Sequence, residues 1–488
     1  MRLKLKLVAL AFLSCAASQA VAEDLLDIYK EAFIKDPQIL QSKAERDSAF
    51  AAIGEANAAL LPQIDVTGSV SRTSSGIVKT TLVKSNNKTS AATINLSQAL
   101  WRHSAWKSRS IAVKNAAMLD LQYNDALQDL IIRVCDAYFG VLSAKDTLNY
   151  QIANRNALRQ QLDEATRRFE VGLIAETDAF EAQAAYDLSV AQVISAENTL
   201  INSYEEIRKL LGRDVRNLSE LNESVFSPDR VDRTMAQVQE MAENNNLQLQ
   251  ASVVARDIAK DQIVLAQTGH EPTLDFVGSY TTSYIDYDIQ ASSQVTGNYR
   301  EGTVGLNLNF PLFSGGATAS QVEQAEHNYI AAAESLELAH RTVIANANNG
   351  FNNVSAAISS VRAYEQLVKS SQSALNATRA GYDVGTRTIT DVLDATQTLY
   401  SALQNLSTSR YNYILYRLNL LYVQGDLSGE DLEAVNRGLK PNGNAQPPST
   451  GPENMRELLI QQQQENQRVL EYRDGVPPQQ QPNVMPQA

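Results

Sequence analysis

Hydrophobic residues change their spacing in the same order in both halves of the chain. Residues 24 to 60 carry them at helical intervals, and Pro62 ends that predicted helix. Apolar and polar positions then alternate, which predicts two strands joined by a polar loop from about 72 to 90. The second half repeats the alternation after Pro272, with a loop near 281 to 302. The apolar strand positions are Ile64, Val66, Val70, Ile94, Leu96, Leu100, Leu274, Phe276, Tyr280, Leu306, Leu308, Phe310 and Leu312.

Long helices are predicted after each pair of strands, because no proline interrupts residues 63 to 227 or 312 to 440. Residues 102 to 170 would form one helix of roughly 100 Å at 1.5 Å per residue. The shorter helices at 24 to 60 and 177 to 211 together nearly equal that length. We therefore expect two short helices to stack end to end beside one long helix. The second half has the same relation, with a long helix at 317 to 380 and short ones at 232 to 268 and 390 to 424.

The two halves are drifted copies of one unit, since residues 24 to 214 recur as residues 234 to 427. Matching residues include Arg46, Pro62, Asp65 and Gly172 in the first copy, which return as Arg256, Pro272, Asp275 and Gly385 in the second. The expected organisation is a signal peptide at 1–22, a first repeat at 23–214, an inter-repeat linker at 215–231, a second repeat at 232–427, a short segment at 428–440, and a disordered tail rich in proline and glutamine at 441–488.

The first 22 residues have the form of a secretory signal peptide. Arg2, Lys4 and Lys6 precede an apolar run, and Ala20-Val21-Ala22 supplies a cleavage site. A lipoprotein signal ending at Cys15 is the alternative, although bulky residues precede that cysteine. After cleavage Cys135 would be the single remaining cysteine, so no disulfide within the chain is expected.

The alternating strands are typical of a transmembrane β-barrel wall, with lipid on the apolar side and water on the polar side. An amphipathic sheet on a soluble core is the alternative. The barrel is favoured because four strands match one another and no apolar run of about 18 residues follows the signal. Trp101 and Phe313 are predicted at equivalent strand ends, where interface aromatics belong. Four strands are too few to close a barrel, so an oligomer is expected.

Residues with catalytic or metal-binding chemistry are sparse. The four histidines have no metal-ligand spacing, and the sequence contains no phosphate-binding loop or nucleophile elbow. The net charge of −13 argues against a nucleic-acid partner. We therefore expect no enzyme activity, no cofactor and no metal.

Two motifs of the second copy carry a family resemblance. Residues 309 to 316 read Asn-Phe-Pro-Leu-Phe-Ser-Gly-Gly, and residues 381 to 396 begin Gly-Tyr-Asp-Val-Gly-Thr-Arg-Thr. With the signal peptide and the duplicated unit, roughly residues 23 to 435 resemble the outer membrane factor family of TolC-type efflux and secretion ducts. The resemblance implies a homotrimer whose twelve strands, four from each chain, form one β-barrel continuous with an α-helical barrel.

The same resemblance implies where the protein works and with which partners. It places the strands in the outer membrane of a Gram-negative bacterium and the helices in the periplasm, with the segments outside the two copies forming an equatorial belt. The implied partners are a periplasmic adaptor and, through it, an inner-membrane pump of the proton-driven or ABC type. A periplasmic coiled-coil scaffold without a pore is the alternative function.

The turns between long and short helices differ between the copies and are the candidate functional sites. Glycine there permits a left-handed residue that ends one helix, and Thr or Asp is expected to cap the next. Asp391 and Asp394 share a helix face and are either ordinary first-turn acids or, by resemblance, an acidic ring at the duct entrance. The resemblance also assigns a gating latch to Tyr382, Arg387, Gln161, Thr177 and Asp178, with Arg387 to Asp178 as its principal charged contact. It assigns adaptor docking to the tip turns at Val171, Gly172, Leu173, Val384, Gly385 and Thr386.

Overall fold

The computed structural model describes residues 23–75, 85–215, 217–230, 232–289 and 295–440. The expected signal peptide at 1–22 and tail at 441–488 lie outside these residues. Long helices and one four-stranded antiparallel sheet make up the described chain. None of the described helices combines the length and the apolar character needed to cross a membrane.

The elements follow one another in the same order in each half. In the first half they are α1 (Leu25–Lys35), α2 (Pro37–Ala58), β1 (Gln63–Ser75), β2 (Ser85–Trp101), α3 (His103–Glu170) and α4 (Glu176–Leu211). In the second half they are α5 (Met235–Asn245), α6 (Leu247–Gln267), β3 (Thr273–Ile289), β4 (Val295–Asn309), α7 (Ala317–Asp383) and α8 (Ile389–Val423), after which comes α9 (Gly429–Arg437).

The first helix of each half is interrupted, although the sequence pattern predicted one continuous helix. Asp36 leaves the helical conformation between α1 and α2, and Asn246 does so between α5 and α6. Pro37 lacks a backbone donor and therefore suits the first position of α2. Asn246 accepts a hydrogen bond from the backbone N–H of Leu249, which caps α6. Apolar periodicity continues across both breaks, so it did not reveal them.

The strands pair in chain order, β1-β2-β3-β4, so β1 and β4 are the edges of the sheet. The register places Ile64 opposite Leu96 and Phe276 opposite Leu306, so the alternating apolar residues share one face. On the other face, Thr93 and Thr281 share a hydrogen bond of 2.9 Å. The predicted two-faced sheet is therefore present in the chain.

The strands are longer than the alternating runs that predicted them from the sequence. They have 13 to 17 residues and extend into the loops predicted at 72–90 and 281–302. Residues 71–75 of β1 and 85–90 of β2 are polar on both faces, so they carry no alternating apolar signal. The segments 76–84 and 290–294 lie outside the described residues.

The two aromatic residues predicted at equivalent strand ends differ in position. Trp101 is the last residue of β2, and its ring centroid lies 5.9 Å from that of Trp106. Phe313 lies beyond β4, which ends at Asn309, and is 88% exposed. Its expected place at a strand end was wrong, because Pro311 has no N–H with which to continue the ladder.

The described chain divides into two compact units. One contains residues 44–121 and 251–338, which include the sheet, and the other contains residues 23–43, 122–250 and 339–440. The second unit includes the turns that follow α3 and α7. A buried cluster lies behind these turns and comprises Leu158, Leu375, Tyr382, Ile389, Val392, Leu393 and Leu399.

Candidate functional site

Both tip turns reverse the chain at a left-handed glycine, as the sequence predicted. Gly172 has a φ of 72° and Gly385 a φ of 76°. After α3, the N–H of Leu173 donates to the carbonyl of Arg168; after α7, the N–H of Thr386 donates to that of Gly381. These bonds pair carbonyl groups that would otherwise have no hydrogen-bond partner at the end of each helix. The apolar tip residues Val171, Leu173 and Val384 are exposed.

Of the two helices that follow the tip turns, one begins with the expected cap and the other does not. Thr388 is the N-cap of α8, and its side chain and that of Asp391 form a reciprocal capping box. In α4 the N-cap is Ala175, which makes no side-chain cap, so Thr177 and Asp178 lie within the first turn. The expected capping by Thr or Asp is therefore confirmed in the second copy, where Thr388 and Asp391 form the cap, and was wrong in the first copy, where the N-cap is Ala175. An N-cap lies one position before the first helical residue, which periodicity does not locate to a single residue.

The two candidate ring acids have different surroundings. Asp391 accepts hydrogen bonds from the backbone N–H and hydroxyl of Thr388, and these bonds hold the pKa of its carboxyl below the ordinary value. Asp391 is thus engaged as an ordinary first-turn acid in this chain. Asp394 lies one turn further along α8 and is exposed. Its side chain borders a cleft that also contains Glu181 and Asn154.

Arg387 pairs with a carboxylate of its own hairpin. Its Nη1 atom lies 3.9 Å from Oδ1 of Asp391, and its stem is close to Gly381, where an added Cβ would come 2.8 Å from Arg387 Cγ. Within the described residues, Asp391 is the carboxylate at ion-pair distance from Arg387. The expected Arg387 to Asp178 latch is not formed inside the chain, because the side chain folds back over Gly381.

A different arginine, Arg168 near the end of α3, connects the two copies at the tips. Its guanidinium carbon lies 4.5 Å from the ring centroid of Tyr382 on α7, a cation–π contact. Its Nη2 atom donates to Asp383 at 3.2 Å and lies 2.5 Å from Glu164 of its own helix. Arg168 therefore joins the first hairpin to the second through both a ring and a carboxylate.

Tyr382, a predicted latch residue, is buried beneath Arg168 in the apolar cluster, and its hydroxyl has no hydrogen-bond partner. Burial raises the pKa of the Tyr382 phenol; the nearby Glu164 and Asp178 add to the rise, while Arg168 opposes it. Asp178 is therefore close enough to act on Tyr382 electrostatically. Gln161, another predicted latch residue, donates to the Thr396 hydroxyl of α8 at 2.9 Å.

Sequence reasoning missed Arg168, Asp383 and Thr396. A basic residue in the last turn of a helix is common, because it faces the negative end of the helix dipole. The neighbouring Arg167 has the same local signal but donates to a backbone carbonyl of its own helix. The choice between the two arginines depends on which helix packs alongside α3.

Two solved structures of outer-membrane proteins share this fold. The crystal structure of the Campylobacter jejuni CmeC outer membrane channel matches with a TM-score of 0.73 and 18% identity, covering 86% of this chain and 90% of that chain. The outer membrane protein VceC from Vibrio cholerae matches with a TM-score of 0.68 and 17% identity, covering 82% and 96%. These likenesses establish the class of fold.

The particular family follows from sequence. The family model described as outer membrane efflux protein matches twice, over residues 28–213 and 238–425, and the chain belongs to this family. It is 42% identical to the outer membrane protein TolC of Vibrio cholerae over 90% of this chain and 99% of that protein. It is 40% identical to TolC of Escherichia coli, covering 91% and 89%. The expected TolC-type family and outer-membrane location are confirmed.

Proposed function

We propose that the protein is an outer-membrane exit duct through which drugs, other small molecules or proteins pass from the periplasm to the exterior. The observation that carries the proposal is the family match over both halves, together with about 40% identity to TolC proteins along nearly the whole chain. PrtF of Dickeya chrysanthemi, a protease secretion protein 29% identical over 86% of this chain, supports a secretion role besides efflux. The duct conducts passively and catalyses no reaction.

The duct is built by three copies of the chain. Edge strands β1 and β4 carry backbone groups that one chain leaves unpaired at the sheet edges. Pairing β4 of one copy with β1 of the next closes a barrel of twelve strands and removes every edge. The apolar residues Val66, Val70, Leu306 and Leu308 are exposed in the single chain and then face lipid.

The helices close a tunnel in the same assembly. Phe180, Ile194 and Ile201 are exposed on α4 at spacings of seven residues or a multiple of seven. Such a stripe is the seam of a coiled coil, and large apolar side chains favour burial against another helix. A neighbouring copy covers the stripe in the proposed trimer.

Entry to the duct is controlled at the tip turns. Asp391 and Asp394 of three copies place six carboxylates around one opening, which attracts cations. The tips are held in a closed state by the Arg168 contacts with Tyr382 and Asp383, assisted by Gln161. The same turns contain Thr177, Asp178 and Arg387. In the trimer, Arg387 of one chain exchanges its ion pair with Asp391 for an ion pair with Asp178 of the neighbouring chain.

Energy and substrate choice come from partners, because the chain offers no nucleotide motif. A periplasmic adaptor docks on the exposed tip residues Val171, Leu173 and Val384, with Gly172, Gly385 and Thr386 shaping the turns. An inner-membrane pump, either proton-driven or ABC type, acts through that adaptor. Docking opens the tips by moving the hairpin of α7 and α8 away from the hairpin of α3 and α4.

The experiment that tests the duct is single-channel conductance of the purified protein in a planar bilayer. A small, steady conductance that rises when Arg387 is replaced by Ser is the expected result. Absence of conductance from both proteins, with folding confirmed by circular dichroism, would overturn the duct and favour the scaffold without a pore.

A further inference from the structure

The basic residues of the four strands all belong to the apolar face of the sheet. The strands contain one arginine or lysine in β1, one in β2 and one in β4, which are Arg72, Lys88 and Arg300. Successive strand residues point to opposite faces, and the register pairs even-numbered positions with even-numbered positions. These three cations therefore share a face with the apolar residues Val66 and Ile94.

The opposite, polar face of the sheet has charges of the other sign. Its charged strand residues are Asp65, Asp275 and Glu301. A cation costs least on a wet face and most on a face that contacts hydrocarbon. The segregation of all three cations to the apolar face therefore calls for a partner on that side of the sheet.

The cations lie toward the strand ends that are remote from the helices. Arg72 is directly opposite Lys88, and Lys88 is directly opposite Asp286 of β3. Asp286 is twelve residues from Leu274, which is roughly 40 Å along an extended strand. At a barrel strand tilt of about 40° this corresponds to about 30 Å across the membrane, more than the apolar band of about 25 Å. This row of residues therefore reaches the level of the lipid headgroups.

Two tyrosines mark the same level independently of the charges. Tyr280 and Tyr284 are on the apolar face of β3, and each is 50% exposed. Thr282 between them is directly opposite Arg300, so both tyrosines are diagonal neighbours of that arginine. Tyrosine is enriched where hydrocarbon meets headgroups, because its ring is apolar and its hydroxyl is polar.

The charge and spacing of the cations match a phosphate monoester. Arg72 and Lys88 are exposed, and residues directly opposite on antiparallel strands have Cβ atoms about 5 Å apart. A phosphate monoester carries between one and two negative charges near neutral pH and offers three acceptor oxygens. Arginine and lysine both form charge-assisted hydrogen bonds with such oxygens. Asp286 next to Lys88 leaves these rows with three cations and one carboxylate.

We propose that Arg72 and Lys88, with Arg300 beside them, bind the phosphate monoester headgroup of a lipid in the leaflet remote from the helices. The acyl chains of this lipid lie on Val66 and Val70, which continue the same face toward the middle of the sheet. The site rests on the proposed duct, because only a chain inserted as a barrel presents this face to lipid. The bound lipid lies outside the duct and takes no part in conduction.

The test uses purified full-length protein in phosphatidylcholine vesicles with a minor share of phosphatidic acid, whose headgroup is a phosphate monoester. After extraction in a non-ionic detergent, native mass spectrometry identifies the lipids that the protein retains. The retained lipid should be enriched in phosphatidic acid at least fivefold over the vesicle composition. Arg72→Gln combined with Lys88→Gln should abolish most of that enrichment, because the charge-assisted bonds to phosphate are lost.

Two further variants separate this site from general charge. Lys88→Thr combined with Thr89→Lys keeps the composition but moves the cation to the polar face, and it should lower the enrichment as the loss of Lys88 does. Lys43→Gln combined with Lys260→Gln is the matched control, since it removes two exposed cations from α2 and α6. This control should retain the full enrichment.

Four results would overturn the lipid site. These are equal losses in the Arg72 and Lys88 double variant and the control, full enrichment after the exchange of Lys88 with Thr89, equal retention of phosphatidylglycerol, and displacement of the lipid by an equal concentration of inorganic phosphate. Flotation with the vesicles separates this proposal from that of the duct. A protein that does not enter the vesicles overturns both, whereas one that enters without enriching phosphatidic acid overturns the lipid site alone.

Discussion

At the scale of single residues, the tip is held by contacts that combine charge with burial. Arg168 lies over the ring of Tyr382 and beside the carboxylate of Asp383. A cation–π contact and a partly exposed ion pair together contribute about 1–2 kcal/mol. That amount is small against the whole fold, but it is enough to shift the closed and open populations of the proposed gate.

Replacing Arg168 with Gln should increase the open fraction of the duct about 5- to 30-fold, because about 1–2 kcal/mol of closed-state contact is lost. Single-channel recordings measure that fraction directly. Arg167→Gln is the control, since this neighbouring arginine bonds only to its own helix in the described structure. Equal opening in both variants would show that removal of positive charge, and not the Tyr382 contact, causes the effect.

Glu31 gives a pH-dependent prediction. Hydrogen bonds from Arg213, with help from Lys35, lower the pKa of the Glu31 carboxyl from 4.5 to about 2. A carboxyl whose pKa is lower in the folded state stabilises the fold above its unfolded pKa, and that stabilisation is lost as the pH falls. The loss should therefore occur between about pH 4.5 and pH 2.

The measurement is the melting temperature of the wild type and of Glu31→Gln from pH 7 down to pH 3. The difference between the two proteins should be largest at neutral pH and should shrink below about pH 4.5. Glu55→Gln, at an exposed position on α2, is the control. A difference that stays constant with pH would contradict the assignment to the Arg213 contact.

At the scale of elements, equivalent helix ends in the two copies have different neighbours. Gly212 ends α4 and Gly425 follows α8, and each has a φ of 70°. A Cβ at Gly212 would meet no atom within 4 Å, whereas a Cβ at Gly425 would lie 2.3 Å from the backbone oxygen of Asn245. Gly425 is therefore required both by its positive φ and by the nearby backbone of Asn245, whereas Gly212 is required by its positive φ alone.

Gly212→Ala should destabilise the protein by about 1–2 kcal/mol, the cost of a left-handed alanine. Gly425→Ala should cost about 2–5 kcal/mol, because a backbone clash adds to the same strain. Melting temperatures of the two variants, measured side by side, check the order. Equal decreases would mean that the chain near Asn245 moves away without cost.

At the scale of the whole molecule, the proposed trimer accounts for surfaces that one chain leaves exposed. The sheet has two open edges and an exposed apolar face, and α4 carries an apolar stripe. Exposed apolar patches of this extent mark interaction surfaces. In the proposed trimer, neighbouring chains would pair the two sheet edges, lipid would cover the apolar face and a second chain would cover the stripe on α4.

Ile194→Glu should weaken the trimer, because a charge would then lie in an apolar seam between copies. Chemical crosslinking and light scattering in detergent measure the fraction of trimer. Thr199→Glu introduces the same charge at an exposed position on another face of α4 and should leave the trimer intact. Intact trimers in Ile194→Glu would place the seam elsewhere.

The sequence by itself determined the two long helices, the four alternating strands and the glycine turns at the tips. Each depends on signals among neighbouring residues: periodicity of 3.6 or 2, absence of proline, and a glycine where the backbone must turn left-handed. The family resemblance also rested on such local runs, above all residues 381 to 396.

Only the tertiary structure decided which side chains meet. Arg168 and Arg167 are alike in sequence, but packing of α7 beside α3 places one against Tyr382. Gly212 and Gly425 are equivalent in the two copies, yet only Gly425 has the backbone of Asn245 against it. Such contacts join residues far apart in the chain, and the local pattern that specifies each helix is compatible with many neighbours.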